Sequence, residues 1–75
     1  MMETLGERIR HGRKRRVLTQ AELAHAAGVA LITANRLEND AIENPRPDTI
    51  RKIAQVLDVD PAWLLFGDDE SKIAA

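Results

Sequence analysis

Apolar residues recur at intervals of three and four along most of this chain, a spacing that places them on one face of an α-helix. The clearest stripe predicts a helix over residues 47–57, and its members are Ile50, Ile53, Ala54 and Leu57. Shorter stripes predict three more helices, over about residues 5–16, 20–27 and 30–38. No segment alternates apolar and polar residues as a half-buried strand would. We therefore expect an all-α fold.

Residues with strong preferences for helix ends mark where these helices start and stop. Two Thr-x-x-Glu sequences, at residues 4–7 and 19–22, are capping boxes, in which a hydroxyl and a carboxylate each accept a bond from a free backbone N–H. Gly28 ends the second helix, because a left-handed conformation there costs glycine nothing. The Asp-Pro pair at residues 60–61 starts a fifth, short helix ahead of Gly67.

Segments 20–27 and 30–38 form two short helices joined by a tight turn at Gly28, which is the arrangement of a helix-turn-helix. In such a unit the second helix lies in the major groove of DNA. The outer face of that helix carries Leu31, Ile32, Thr33, Asn35 and Arg36. Spacing alone is equally compatible with an αα-hairpin that serves only as core.

Composition narrows the class of protein. The 75 residues suffice for one small domain, which dimerisation would stabilise. The chain has no cysteine, and its two histidines lack ligand-like spacing, so we expect no metal site. No apolar run reaches the roughly 20 residues of a membrane span and no leader is apparent, so we expect a soluble, cytoplasmic protein. Without a nucleophile–base pair or a glycine-rich phosphate loop, we expect neither an enzyme nor a cofactor.

Charge is distributed unevenly, although the net charge is only −1. A pI of about 6.1 argues weakly against a non-specific nucleic-acid binder. Residues 1–20 nevertheless hold six arginines and lysines against two glutamates, a net of +4, whereas residues 61–75 have a net of −2. A molecule polarised in this way can present one basic side to phosphate and keep its acidic end away.

Arg13 stands in an unusual position on the first helix. Leu5 and Ile9 form an apolar stripe, and Arg13 continues it at the next helical step. An arginine there needs a carboxylate partner or must extend to solvent. We predict that Glu38, at the end of the third helix, is that partner. The alternative is a solvated Arg13.

The order of five short helices, together with four local sequences, resembles the phage-repressor and Cro-like (XRE-type) helix-turn-helix regulators. Those sequences are Thr-Gln-Ala-Glu-Leu-Ala at 19–24, Gly-Val at 28–29, Arg-Leu-Glu-Asn at 36–39 and Asp-Pro-Ala-Trp-Leu-Leu-Phe-Gly at 60–67. The resemblance implies a lambda-repressor-like domain over residues 1–67, with residues 68–75 as a short polar tail that we expect to be frayed. It also implies a homodimer that binds a palindromic operator in double-stranded DNA and regulates transcription without catalysis.

Roles for individual residues follow from the same resemblance. Base-reading and groove-lining positions fall on Ala30, Leu31, Ile32 and Arg36, and the outer face of the same helix adds Thr33 and Asn35 to the base-reading set. Phosphate-contacting positions fall on Thr19, Gln20, Asn39 and Arg46. Arg13 and Glu38 fall on a buried ion pair, in agreement with the pairing reached above. Association of two copies is expected through the C-terminal half, at Val59, Trp63 and Phe66.

The chain departs from the family pattern at several of these positions. Ala30 replaces the usual Ser or Thr cap of the recognition helix, which should cost about 1 kcal/mol of stability. Ala34 stands where a branched aliphatic residue is usual, and Glu43 where a loop residue is often basic. Leu31 and Ile32 replace polar base-readers, so they would contact thymine methyl groups or, alternatively, form a sticky patch for a protein partner.

Two other functions therefore stay open beside the DNA-binding regulator. The first is an antitoxin-type protein that binds both DNA and a partner toxin. The second is a protein-interaction module that uses Leu31 and Ile32 as its main contact. Association with a small toxic protein would favour the first, and the absence of any sequence-dependent DNA binding would favour the second.

Overall fold

The computed structural model describes residues 2–67, which form five helices around one core. The helices are α1 (Leu5–Arg15), α2 (Gln20–Ala27), α3 (Leu31–Glu38), α4 (Pro47–Leu57) and α5 (Pro61–Phe66). The described residues contain no strand, so the predicted all-α fold is confirmed. Predicted and observed bounds agree to within one residue, since α1 ends at Arg15 and Ala30 precedes α3 as its N-cap. The tail expected to be frayed lies outside the described residues.

Side chains close to the helix starts satisfy the first backbone N–H groups. In both predicted capping boxes the threonine hydroxyl accepts from the backbone N–H three residues on, at 3.1 Å in α1 and 3.0 Å in α2. The glutamates of the two boxes accept in return from the N-cap backbone N–H groups. Asp60 caps α5, whereas Ala30 makes no side-chain capping bond to α3. The start of α3 therefore lacks a contribution of about 1 kcal/mol that a Ser or Thr would supply.

Helices α1 to α4 all stop in the same way, with one left-handed residue just after the last turn. The backbone N–H of the residue that follows it donates to the carbonyl five positions earlier in the chain, as Leu18 does to Arg13 at 3.0 Å. This is the Schellman arrangement, which favours glycine at the left-handed position. The four left-handed residues are Val17, Gly28, Asp40 and Asp58. Only one of the four is glycine, and the carboxylic side chains of the two aspartates make this conformation less costly for them.

The core between the helices is aliphatic, with one ring. Its buried members are Ile9, Leu23, Ala27, Leu37, Ile50, Ile53, Ala54, Leu57, Trp63 and Leu64. Trp63 was predicted at an interface between copies, but only 7% of its surface is exposed. Because α5 turns this ring towards α1 and α4, the monomer already buries almost all of the area that a partner could cover. In the monomer the ring of Trp63 thus belongs to the core, and its place at an interface between copies stays a prediction. Val59 is half-buried against the core, whereas Phe66 is 74% exposed.

Helix α1 lies directly on the end of α3. A Cβ atom at Gly6 would come within 2.4 Å of the backbone carbonyl oxygen of Glu38, so only glycine permits this approach. The backbone N–H of Gly6 also donates to the Asp40 carboxylate at 2.9 Å. Asp40, the left-handed residue that follows α3, thus also accepts a hydrogen bond from the first turn of α1.

Arg8 joins α1 to α5, a role that the sequence analysis missed when it counted this residue among the basic surface. The side chain is buried, and it donates to the backbone carbonyls of Leu64 at 2.7 Å, Leu65 at 2.9 Å and Met2 at 3.1 Å. A cation at these last carbonyls of α5 complements the helix dipole. Burial lowers the pKa of the Arg8 guanidinium, which nevertheless stays charged.

The lengths of the helices bear on whether any of them could span a membrane. The longest helices within residues 2–67 have 11 residues. No helix in this part of the chain combines the length and apolar character needed to cross a bilayer.

Val17 provides a test of the backbone strain at these helix ends. It is β-branched, 87% exposed and has a φ of 55°, a conformation that costs an L-residue about 1–2 kcal/mol. We expect Val17→Gly to raise the free energy of unfolding by about 0.5–1 kcal/mol, because the relief of strain exceeds the added entropy of the unfolded chain. Urea denaturation measures this change.

Gly28→Ala is the matched control for Val17→Gly. A Cβ atom at Gly28 would meet nothing within 4 Å, so its effect reports only the backbone conformation at a φ of 71°. We expect a loss of about 1 kcal/mol. A Val17→Gly variant no more stable than the wild type would show that the left-handed conformation of Val17 carries no strain.

Candidate nucleic-acid interface

Helices α2 and α3 form a unit whose inner side is held in the core. Gly28 turns the chain between them, and Val29 is half-buried against the core. Ala34 and Leu37 are fully buried on the inner side of α3. The opposite side of α3 is therefore fixed in direction, and it faces solvent.

That outer side is apolar at its start and polar towards its end. Leu31 is 52% exposed and Ile32 is 57% exposed, beside the exposed N-cap residue Ala30. Asn35 and Arg36 are exposed one turn further along. These five predicted base-reading residues thus share one accessible surface.

Thr33 differs from the other predicted base-reading residues. It is half-buried and lines a small cavity of about 260 Å³, together with residues of the loop that precedes α4. The remaining residues of this cavity are Leu37, Ile42, Asn44, Pro45, Arg46 and Thr49. The side chain of Thr33 is thus less accessible than those of its neighbours on α3.

The predicted phosphate-contacting residues fall into two groups. Gln20 and Asn39 lie on either side of Asn35, which hydrogen-bonds to both. Thr19 immediately precedes Gln20, and its hydroxyl caps α2. Arg46 stands apart from this group as the N-cap residue of α4, where its exposed guanidinium lies 3.7 Å from the Asp48 carboxylate.

A cluster of charged side chains lies behind this surface, and the carboxylate of Glu38 is at its centre. This carboxylate is fully buried, and Arg13 donates to both oxygens, at 2.6 Å from Nε and 3.0 Å from Nη2. Gln20 donates to the same oxygen as Arg13 Nη2 at 3.1 Å, and the guanidinium of Arg10 lies 3.5 Å from it. The structure therefore places Arg13 against Glu38 in the pairing that the apolar stripe predicts.

The pKa values of the pair follow from these contacts. Burial alone would raise the pKa of Glu38, but the hydrogen bonds from Arg13 and Gln20 and the charge of Arg13 together lower it. The bond to Glu38 raises the pKa of Arg13. Both groups are therefore held in their charged forms.

Arg10 and the amide contacts of Asn35 were not predicted from the sequence. Arg10 lies one helical turn before Arg13, so helical spacing could have indicated that it reaches the same carboxylate. The bonds from Asn35 to Gln20 join residues 15 positions apart, and no local pattern indicates them. Within residues 2–67, no group of three acidic or histidine side chains is arranged to hold a metal ion.

Comparison with known proteins identifies the fold. The model of the helix-turn-helix family matches residues 9–64, which is most of the chain. This chain belongs to the helix-turn-helix family. The transcriptional regulator DicA of Escherichia coli is 35% identical over 69 residues, and the transcriptional repressor RghR of Bacillus subtilis is 37% identical over 65 residues. These matches take in 92% and 87% of this chain but 50% and 48% of the relatives, so the chain spans about half their length.

Solved structures of the helix-turn-helix family superpose closely on this chain. SinR in complex with DNA has a TM-score of 0.78 and 34% identity, over 81% of this chain and 97% of that one. The P22 c2 repressor in complex with a synthetic operator has a TM-score of 0.80 and 32% identity, over 87% and 97% of the two chains. The SinR–SinI protein complex has a TM-score of 0.80 and 33% identity, over 96% and 67%. The predicted lambda-repressor-like fold is confirmed.

Removal of the Glu38 carboxylate tests how much the buried pair contributes to this helix-turn-helix domain. We expect Glu38→Ala to lower the free energy of unfolding by roughly 3 kcal/mol, because Arg13 would keep its charge without the carboxylate that neutralises it. Thermal and urea denaturation measure the loss. Glu43→Ala removes an exposed loop carboxylate and is the matched control, with little expected change. Equal stabilities of the Glu38→Ala variant and the wild type would contradict the assignment.

The lowered pKa of Glu38 predicts a pH dependence with a definite sign. A carboxyl whose pKa is lower in the folded state contributes stability above its unfolded value, about 4.3, and loses it as pH falls through the folded value. We expect the stability difference between the wild type and Glu38→Gln to be full near neutral pH and to shrink below about pH 4. Glu7, whose pKa is lowered by the backbone N–H groups of Glu3 and Thr4, leaves part of the acid sensitivity in both proteins. A difference that stays constant down to pH 2 would argue against the assignment.

Proposed function

We propose that this protein is a sequence-specific DNA-binding transcriptional regulator, without catalytic activity, that acts as a homodimeric repressor on a palindromic operator in the cytoplasm. The observation that carries the proposal is the outer face of α3. Buried Ala34 and Leu37 hold that helix by its inner side, while Leu31, Ile32 and Arg36 project outward. In two similar structures, those of SinR and the P22 c2 repressor, the same fold is in complex with DNA.

Arg36 is the proposed source of the strongest base contact. A guanidinium can bond in a fork to O6 and N7 of guanine, which contributes roughly 1–3 kcal/mol of discrimination. Leu31 and Ile32 have no hydrogen-bonding groups in their side chains, so they favour thymine methyl groups in the same groove. Ala30 lines the groove beside them. Thr33 takes a smaller part because it is half-buried.

Phosphate contacts are proposed on the two sides of α3. Thr19, Gln20 and Asn39 offer hydroxyl and amide donors on one side, and Arg46 offers a charge on the other. The exposed Lys14 and Arg15 at the end of α1 add positive charge. If about six phosphates are neutralised per dimer, binding should weaken steeply as salt is raised.

A dimer would present two α3 helices to successive major grooves about 34 Å apart. With Trp63 buried in the core, Phe66 is the main apolar side chain of α5 left for a partner, and Val59 adds a half-buried edge. We expect the wild type to sediment as a dimer at micromolar concentration and Phe66→Ser to sediment as a folded monomer, with a melting temperature lower only by the stability that dimerisation adds. A wild type that stays monomeric yet binds its operator tightly would contradict the dimer.

Association with a protein partner is the second candidate function. The favouring observation is the pair of half-exposed aliphatic side chains on α3, since Leu31 and Ile32 form an apolar surface on a helix otherwise polar outside. SinR, one of the similar proteins, was solved in complex with the protein SinI. An antitoxin would bind a partner toxin as well as DNA, whereas a pure interaction module would use Leu31 and Ile32 as its main contact. Absence of any sequence-dependent gel shift at low salt would favour the pure interaction module.

Selection of bound sequences from random DNA tests the main proposal. We expect the wild type to enrich a palindrome with half-sites about one helical turn apart. Arg36→Ala should keep the melting temperature, because the residue is exposed, and it should lose the preference for guanine at one position of each half-site.

The matched control for Arg36→Ala is Arg51→Ala, which removes an exposed arginine from α4, outside the α2–α3 unit. We expect the control to enrich the same palindrome as the wild type. An unchanged motif with Arg36→Ala would remove Arg36 from base reading.

A further inference from the structure

Three side-chain amides form a continuous row across the surface of α2 and α3. Asn39 Nδ2 donates to Asn35 Oδ1 at 3.3 Å, and Asn35 Nδ2 donates to Gln20 Oε1 at 3.2 Å. Gln20 Nε2 then donates to Glu38 Oε1 at 3.1 Å. We call Gln20, Asn35 and Asn39 the amide relay. It begins on α2, crosses α3 and ends at the α3 C-cap.

The buried carboxylate sets the direction of the whole relay. An ionised Glu38 only accepts hydrogen bonds, so the amide of Gln20 must turn its NH₂ group inward and its oxygen towards Asn35. Asn35 must then do the same, and so must Asn39. A reversed amide at any step would place oxygen against oxygen or NH₂ against NH₂.

This direction leaves the same kind of group available on each amide. Every NH₂ group has two hydrogens, and the relay uses one of them. Each amide therefore keeps one N–H for an external acceptor. Phosphate oxygens are acceptors only, so the relay presents phosphates with donors in a fixed orientation.

Both polar groups of the Asn35 amide take part in the relay. A side-chain amide that reads adenine uses both its oxygen and its NH₂ group on one base edge. In this structure the oxygen of Asn35 faces Asn39 and its NH₂ group faces Gln20. A fork to adenine would therefore have to share the oxygen and the NH₂ group of Asn35 with the two neighbouring amides.

We propose that Asn35 is a positioning residue that holds Gln20 and Asn39 towards the DNA backbone, and that it does not read a base. This rests on the proposed function, which makes Gln20 and Asn39 phosphate contacts. Asn35 thereby loses the base-reading role that was expected for it, whereas Arg36 keeps that role. The loss of Asn35 therefore weakens binding to every sequence equally. The slope of affinity against salt stays the same, because neutral amides release no counterions.

The first test needs no DNA. Side-chain amide NMR signals of Gln20 and Asn39 are recorded for the wild type, Asn35→Ala and the control Asn44→Ala, which alters an exposed loop amide. Asn35→Ala should fold normally, since alanine is favoured in an exposed helix position. We expect both signals to shift in Asn35→Ala and neither in the control. Unshifted signals in Asn35→Ala would overturn the relay.

The second test measures affinity for the selected operator and for each of its single-base variants. Asn35→Ala should weaken all of them by the same factor, about two- to tenfold, which is the range of one hydrogen bond. The double variant Asn35→Ala/Asn39→Ala should lose less affinity than the sum of the two single losses, because Asn35→Ala already releases Asn39. Arg36→Ala is the contrast variant, with a loss confined to one base position.

The outcomes separate the two proposals. A changed base preference in Asn35→Ala, or losses that add in the double variant, would overturn the positioning role while DNA binding stands. A wild type without any sequence preference would overturn the proposed function, and the NMR comparison would still decide whether Asn35 orients its two neighbours.

Discussion

The buried carboxylate of Glu38 is the contact on which the α2–α3 half of this domain depends. Taking a carboxylate out of water costs several kcal/mol unless charged hydrogen bonds offset the loss. Arg13 supplies two such bonds from α1, and Gln20 supplies another from the start of α2. One side chain on α3 thereby fixes three helices relative to one another. The backbone of Glu38 is equally constrained, because α1 meets its carbonyl group at Gly6.

The same contact links stability to the proposed surface. Gln20 bonds to Glu38 with its NH₂ group, so the charge behind α3 sets the orientation of an amide in front of it. The donors on the polar edge of the α2–α3 unit are therefore oriented by contacts within the protein itself. Pre-organised donors lose less entropy on binding than free side chains do. The side chains at the apolar start of α3, Leu31 and Ile32, have no hydrogen-bonding groups that such contacts could orient.

The helix ends show that one backbone conformation accommodates several residue types. Four helices use the same left-handed stop, with valine, glycine and two aspartates at the decisive position. Asp40 has a second function there, because its carboxylate receives the backbone N–H of Gly6. Val17 has no such bond among the described contacts, and its exposed side chain adds nothing to the core. The end of α1 is thus the place where this domain departs most from an unstrained fold.

The chain itself determined the five helices, because each depends on residues no more than four positions apart. Capping boxes, prolines at first turns and apolar periodicity are local features, and they set every boundary to within one residue. The pairing of Arg13 with Glu38 was also predicted, since an arginine on an apolar stripe needs a carboxylate partner or must extend to solvent, and the family resemblance pointed to the same pair. The tertiary structure decided the contacts between residues that are far apart in the sequence. Arg8 reaches carbonyls 56 and 57 residues away, Trp63 turns into the core, and Asn35 joins an amide 15 residues distant. Those contacts exist only after the helices pack, because they depend on which faces meet.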